Sequence, residues 1–346
     1  MILIDGAEHS GSGTILRYSV ALATLLREPL RIRNIRSRRP KPGLRAQHLR
    51  AVLSCAEISG GHVQGAEIGA QEIFYEPGKR INPGNYGFDV GTAGSTTLLA
   101  FALCIPALFA SGACKFSLAG GVFQDFAPSG FHMRECLLPL LEKMGAQIRM
   151  EITNPGYFPK GQGKIEVTIQ PLTGPLKPLS LLDQGKVDLI RGFSLASHLA
   201  EQNVAPRMAE KCKSILENQG FKSDISVHED STAVQKGAVL AIRTETDTGA
   251  MLGADMAGAR GRSSERIGKS VARDLLKDLD TGAAVDRHLA DQLIIFAALA
   301  DGTTEYSIPE VTEHVETNLW LVHKILGAKA GVQGNIVKVH GIGYKP

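Results

Sequence analysis

His314 stands at the head of an apolar run, in TEHVETN. A neutral imidazole in such a place can act as a nucleophile near neutral pH, although a lone histidine there also serves as a surface or capping residue. Its company sharpens the question. Thr317 and Asn318 follow it, and Asp291 and Gln292 interrupt the apolar segment LADQLIIFAALA upstream. A carboxylate in an apolar helix needs a partner, because burying it alone is costly. Elsewhere, residues 31–50 (RIRNIRSRRPKPGLRAQHLR) carry eight Arg or Lys and no acid, within a chain of net charge +3. Such a stripe on an otherwise mildly acidic body suits a phosphate-bearing partner, or else is a solvated basic face. EHSGSG and GTAGS each precede a helix-like segment, where glycines and free N–H groups favour anions, though each also reads as an ordinary tight turn.

Other chemistries are excluded. IGKS at 267–270 imitates a phosphate loop, but the motif needs glycine where Ser263 stands, and the stretch has helical periodicity. The five cysteines are scattered without C-x-x-C spacing, so a zinc or redox pair is not expected. No apolar run approaches the ~18 residues of a membrane span, and the N-terminus reads as a strand, MILID, running into a polar loop. A cytoplasmic protein without a membrane partner is the expectation.

The elements that must position these groups repeat. A strand (MILID), Gly-rich turn, helix (TILRYSVALATLL), strand (PLRIRNI), helix (LRAQHLRAVLSCAEI) and two extended pieces form one unit. YGFDV, GTAGS and TTLLAFALCIPALFA begin a second, which ends in QIRMEI and KIEVTI. A third contains LADQLIIFAALA, TEYSIP and HVETNLWLVHKILGA, and its first strand is predicted at VDLIRGFSLA. The predicted fold is α+β: three βαβαββ-like units over residues 1–195 and 284–346 make a main domain, and residues 196–283 make a smaller inserted α/β domain. Loops before each unit's second helix fall at equivalent places, and two of them hold the arginine cluster and His314.

DGAEHSGSGTILR, IRSRRPKPGLRAQHL, GTAGSTTLL, GYFPKGQGKIEV, LADQL and HVETN resemble, in order and along nearly the whole chain, the motifs of RNA 3′-terminal phosphate cyclases. The resemblance implies the same three-unit fold with its insert. It also implies a ligase that uses ATP, with Mg²⁺ or Mn²⁺, on RNA 3′-phosphate ends, with no obligate protein partner. His314 would carry AMP as a covalent intermediate, AMP would pass to the RNA 3′-phosphate, and the ribose 2′-OH would close a 2′,3′-cyclic end. Matched positions make Pro128, Asp291 and Gln292 nucleotide contacts, with His288 at a further nucleotide-contacting position, and Arg17, Arg36, Arg39 and Gln47 polar positions for RNA or phosphate.

The match has departures. Ser10 replaces a Glu associated with the metal, with Glu8 nearby as a candidate substitute. Phe101 replaces a Gln, Phe123 an Asp, and His288 a Tyr that packs on the base. Two competitors remain: a non-catalytic, cyclase-like RNA scaffold of ribosomal RNA processing, and an enolpyruvyl transferase-like enzyme. The intact H-x-x-T-N at His314 argues against the first, and a length short of six units against the second.

Overall fold

The structure, a computed structural model, describes residues 1–125 and 127–345. Its first unit runs β1 (Ile2–Asp5), α1 (Gly13–Leu26), β2 (Leu30–Arg33), α2 (Ala46–Ser59), β3 (His62–Gln64) and β4 (Ile73–Glu76). β1 pairs parallel to β2, β2 antiparallel to β4, and β4 antiparallel to β3. The second unit has β5 (Gly84–Asp89), α3 (Thr96–Ala107), β6 (Cys114–Gly120), α4 (Gly130–His132), a π-helical turn over Met133–Leu137, α5 (Leu138–Lys143), β7 (Gln147–Asn154) and β8 (Gly163–Gln170). Its sheet, β5-β6-β8-β7, has the same order and sense. The π turn falls where Pro139, lacking an N–H, cannot donate to the preceding turn.

The third sheet repeats that order from β9 (Ser180–Leu181), but its helix comes only after a long insertion. The insertion supplies β10 (Val187–Ser197), α6 (Val204–Asn218), β11 (Ser223–Asp230), β12 (Gly237–Thr246), β13 (Gly253–Ala257) and α7 (Ser264–Leu279). The chain then resumes with α8 (Leu289–Leu299), β14 (Thr303–Ser307), α9 (Glu313–Leu326), β15 (Lys329–Gln333) and β16 (Ile336–His340). VDLIRGFSLA therefore does not open the third unit. It is β10, central in the sheet β11-β10-β12-β13, and two-residue β9 takes the predicted place beside β14. The reason is length: two residues carry no periodicity, whereas the long alternating run of β10 reads as a strand in any sheet.

The first helix of each unit is buried nearly all round, which is why α1, α3 and α8 read as almost continuous apolar runs. They meet at the centre. Tyr18 stacks on Phe101 at 5.1 Å, and Phe101 meets Phe296 edge-on at 5.4 Å, so one aromatic comes from each unit. A second core, from Ile190 to Leu279, lies within the insert. The IGKS stretch sits inside α7, as its periodicity predicts.

Candidate active site

His314 is the second residue of α9, and the Thr312 hydroxyl caps that helix by accepting from Val315 N–H at 3.2 Å. Its ring is exposed, yet surrounding protein and the positive charges of Arg17 and Arg39 hold it below the ordinary histidine pKa. Neutral imidazole is thereby favoured, the form with a lone pair to donate.

Three segments converge on the first two turns of α9. The Gly-rich turn before α1 reaches it through Ser10, whose N–H donates to Thr317 Oγ1 at 3.2 Å. The basic loop after β2 joins through Arg39, which donates to Ser10 O at 3.1 Å, and through Arg38, which donates to His9 O at 2.9 Å. His9 (φ 46°) and Arg36 (φ 52°) both adopt left-handed backbone, a strain of about 1–2 kcal/mol each. α8 joins through Asn318, whose amide donates to Asp291 O at 2.9 Å and to its carboxylate at 3.3 Å.

Arg17, on α1, is buried, and burial lowers its pKa to about 10 against the pull of Tyr18 and Asp291. Burial drives Asp291 the other way, to about 7, although Arg17 and Asn318 favour its charge. Gln292 Oε1 and Asn318 Oδ1 are buried and accept no hydrogen bond among the described residues.

Arg17, Arg39, His288, Asp291 and Gln292 thus gather about His314 and α8. Arg36 is engaged locally: one nitrogen donates to Lys41 O at 2.7 Å and Gly43 O at 2.9 Å. Gln47 accepts from Ser95 N–H at 3.0 Å, which steadies the second Gly-rich turn. Pro128 lies on the loop before α4, where its carbonyl accepts from Thr97 at 2.9 Å.

His48 and the pair His132 and Asp286 escaped the sequence reading. Gly13 allows His48 into the site: an added Cβ would lie 2.1 Å from His48 Nε2 and 2.9 Å from Arg17 Nη1. Asp286 accepts from His132 Nε2 at 3.0 Å, from Gly253 N–H at 2.9 Å, and from the N–H groups of His288 at 2.8 Å and Leu289 at 2.9 Å. No motif marked these residues, because the contacts that tie them into the site, His132 and Gly253 on Asp286 and Gly13 beside His48, join segments distant in sequence.

The metal substitutes fare differently. Ser10 is buried and bonded to Ser12 Oγ at 3.0 Å, Phe123 packs on Phe131 and Tyr157, and Phe101 is core. Among the described residues, the one His/Cys/Asp/Glu cluster of ligand-like spacing is His132, Cys136 and Asp286. It is fully buried, and its carboxylate is already saturated by four donors, so these residues do not fit a protein-held divalent ion.

The model for RNA 3′-terminal phosphate cyclases matches residues 8–332. A protein of Methanothermobacter thermautotrophicus called RNA 3′-terminal phosphate cyclase is 38% identical over 334 residues, covering 96% of this chain and 97% of its own. One of that name from Staphylothermus marinus is 34% identical over 357 residues, covering 100% and 99%. Another, from Archaeoglobus fulgidus, is 37% identical over 340 residues, covering 97% and 98%. No helix among the described residues is long and apolar enough to cross a membrane. With motifs and sheet order in register along the whole chain, it belongs to the RNA 3′-terminal phosphate cyclase family.

Proposed function

We propose that this chain converts an RNA 3′-terminal phosphate to a 2′,3′-cyclic phosphodiester at the expense of ATP, with His314 as the adenylyl carrier. The His314 lone pair attacks the α-phosphorus of ATP, a P–N bond forms, and the P–O bond to pyrophosphate breaks. An oxygen of the RNA 3′-phosphate then displaces the imidazole from that phosphorus. The neighbouring 2′-OH attacks the 3′-phosphorus, its proton is lost, and AMP leaves. Adenylylation turns a poor leaving group into a good one, and the adjacent hydroxyl supplies proximity.

The observation that carries this reading is the convergence on His314 of Arg17 and Arg39, with α8 bound to α9 through Asn318 and Asp291. The two arginines suit phosphate oxygens. Gln292 Oε1 and Asn318 Oδ1, as free buried acceptors, suit N–H or O–H donors of the nucleotide, with Asp291 as the ionisable member of that group. His288 and Pro128 belong to the same reading as apolar surfaces for the base, and Arg36 and Gln47 as supports of the loops that face RNA. Mg²⁺ or Mn²⁺ would arrive on the ATP phosphates rather than in a protein cage. A cytoplasmic location goes with this reading, supported by five free buried cysteines. The division into residues 1–195 with 284–346 and an insert of 196–283 is also part of it. The second core starts at Ile190 and favours a boundary somewhat upstream.

The packing roles of Ser10 and Phe123 favour one competitor, a non-catalytic RNA scaffold. One measurement separates the two. α-Labelled ATP with Mg²⁺ or Mn²⁺, without RNA, should leave acid-labile label on the protein and none on His314→Ala. No label with either metal would transfer the case to the scaffold.

A further inference from the structure

The cations concentrated in residues 31–50 are largely engaged within the fold. Arg31 and Arg33 pair with Glu72, and Arg36, Arg38 and Arg39 donate to loop carbonyls. A second basic surface lies on the insert. α7 exposes Arg266, Lys269 and Arg273 at spacing i, i+3, i+7, one helix face over about 10 Å. Lys211 of α6 forms the opposite wall of a groove of about 430 Å³ that Glu265 and Ser270 complete. Glu265 is its one acid, and Arg207 holds it at 2.7 Å. Among the described residues Lys211, Arg266, Lys269 and Arg273 form no ion pair, whereas Arg287 takes Asp278 of the same helix.

The groove is a fixed feature. Gly268 lets α6 and α7 touch backbone to backbone, since a Cβ there would lie 2.5 Å from Met208 O. Its orientation is fixed too. Arg287, the residue before His288, binds Asp278 at 2.6 Å, so the last turn of α7 is tethered beside the start of α8 while Arg266 lies toward the far end.

We propose that the groove between α6 and α7 binds the phosphodiester backbone of RNA upstream of the end being processed. The proposal rests on the RNA-end reading of the His314 site. Four cations facing one acid that is already paired make a surface for a polyanion, and their linear spacing along a helix suits a chain of phosphates. Among the described residues no aromatic side chain lines the groove to stack a base, so the binding proposed there follows backbone charge.

The test is the triple variant Arg266→Gln, Lys269→Gln, Arg273→Gln, which keeps good helix formers at exposed positions. Affinity for a single-stranded RNA of about 20 nucleotides with a 3′-OH is measured against salt concentration, and the slope of log K should become shallower by about 2, at roughly 0.7 per phosphate contact. The KM for the same RNA bearing a 3′-phosphate should rise by about tenfold or more. Turnover of a dinucleotide 3′-phosphate should not change. Lys269→Gln alone should remove about 0.7 of the slope, which keeps the test open if the triple variant folds poorly. An unchanged slope and KM in a protein that still turns over the dinucleotide overturns the proposal. So does lost affinity for anionic vesicles or an acidic peptide with RNA affinity intact. If the unaltered protein turns over neither RNA, the reading of the His314 site fails, and the 3′-OH binding slope still decides the groove.

Discussion

Buried Arg17 and half-buried Asp291 share one corner of the site with opposite consequences for charge. Burial lifts the Asp291 carboxyl to about 7, and Arg17 and Asn318 only partly restrain it. His314 is held below its ordinary value by desolvation and by Arg17 and Arg39, which favours its neutral form where Asp291 titrates. If the ionised carboxylate holds the nucleotide, transfer of label from ATP should rise with pH through about 7 as Asp291 ionises. Asp291→Asn, which fixes the neutral form, should label slowly and lose that inflection, and a wild-type-like profile would remove Asp291 from nucleotide binding. Asp291 and Gln292 stood out in the sequence as polar residues within an apolar segment, and His314 through its neighbours Thr317 and Asn318 and the motif it shares with the cyclases. His48 was not legible. Its place depends on the missing Cβ of Gly13, and Gly13→Ala should cost about 1–3 kcal/mol by urea denaturation, with part recovered when His48→Ala vacates the space.

Between elements, Asp286 does the joining. One oxygen takes the N–H groups of His288 and Leu289 and so fixes the start of α8, while the other takes His132 and the insert's Gly253. Burial opposes both charges, but the pair outweighs it: Asp286 is held below the usual carboxylate range and His132 above the usual imidazole range. The signs define a window. Stabilisation through Asp286 is present above its unfolded pKa of about 3.9 and is lost as pH falls through the depressed folded value. Stabilisation through His132 is full below its unfolded pKa of about 6.5 and is lost as pH rises through the elevated one. Thermal stability attributable to the pair should therefore be greatest between about pH 4 and 6.5, measured as the wild-type minus His132→Ala difference in Tm across pH. A flat difference would mean that the pair is not ionised. Among the helices that carry the site, α9 was readable from its apolar periodicity, and α1 and α8 from their long apolar runs. The third unit's first strand was not, because β9 is two residues long and its neighbour β10 offered a stronger pattern.

On the scale of the molecule, three sheets of one order share a centre where Tyr18, Phe101 and Phe296 meet, and the insert keeps a core of its own. The three-unit plan was visible because each unit repeats its strand and helix pattern. The docking of the insert was not, since it depends on side chains far apart in sequence. Arg262 grips Asp125 through two bonds of 3.0 Å, Phe131 stacks on Phe193 at 4.9 Å, Tyr157 meets Ser197 at 2.9 Å, and Ser129 N–H donates to Asp255 at 2.9 Å. These contacts bracket the loop that carries Pro128 and the start of α4, so the insert bears on the candidate nucleotide site while owning a separate core. Separate cores imply separable stability. Leu275→Ala, deep in the second core, should cost about 2–5 kcal/mol. Amide exchange should quicken across β10–β13, α6 and α7 and leave α1, α3 and α8 protected. If all the helices exchange together, the two cores unfold as one unit, and the insert is then a structural extension of the three-sheet body.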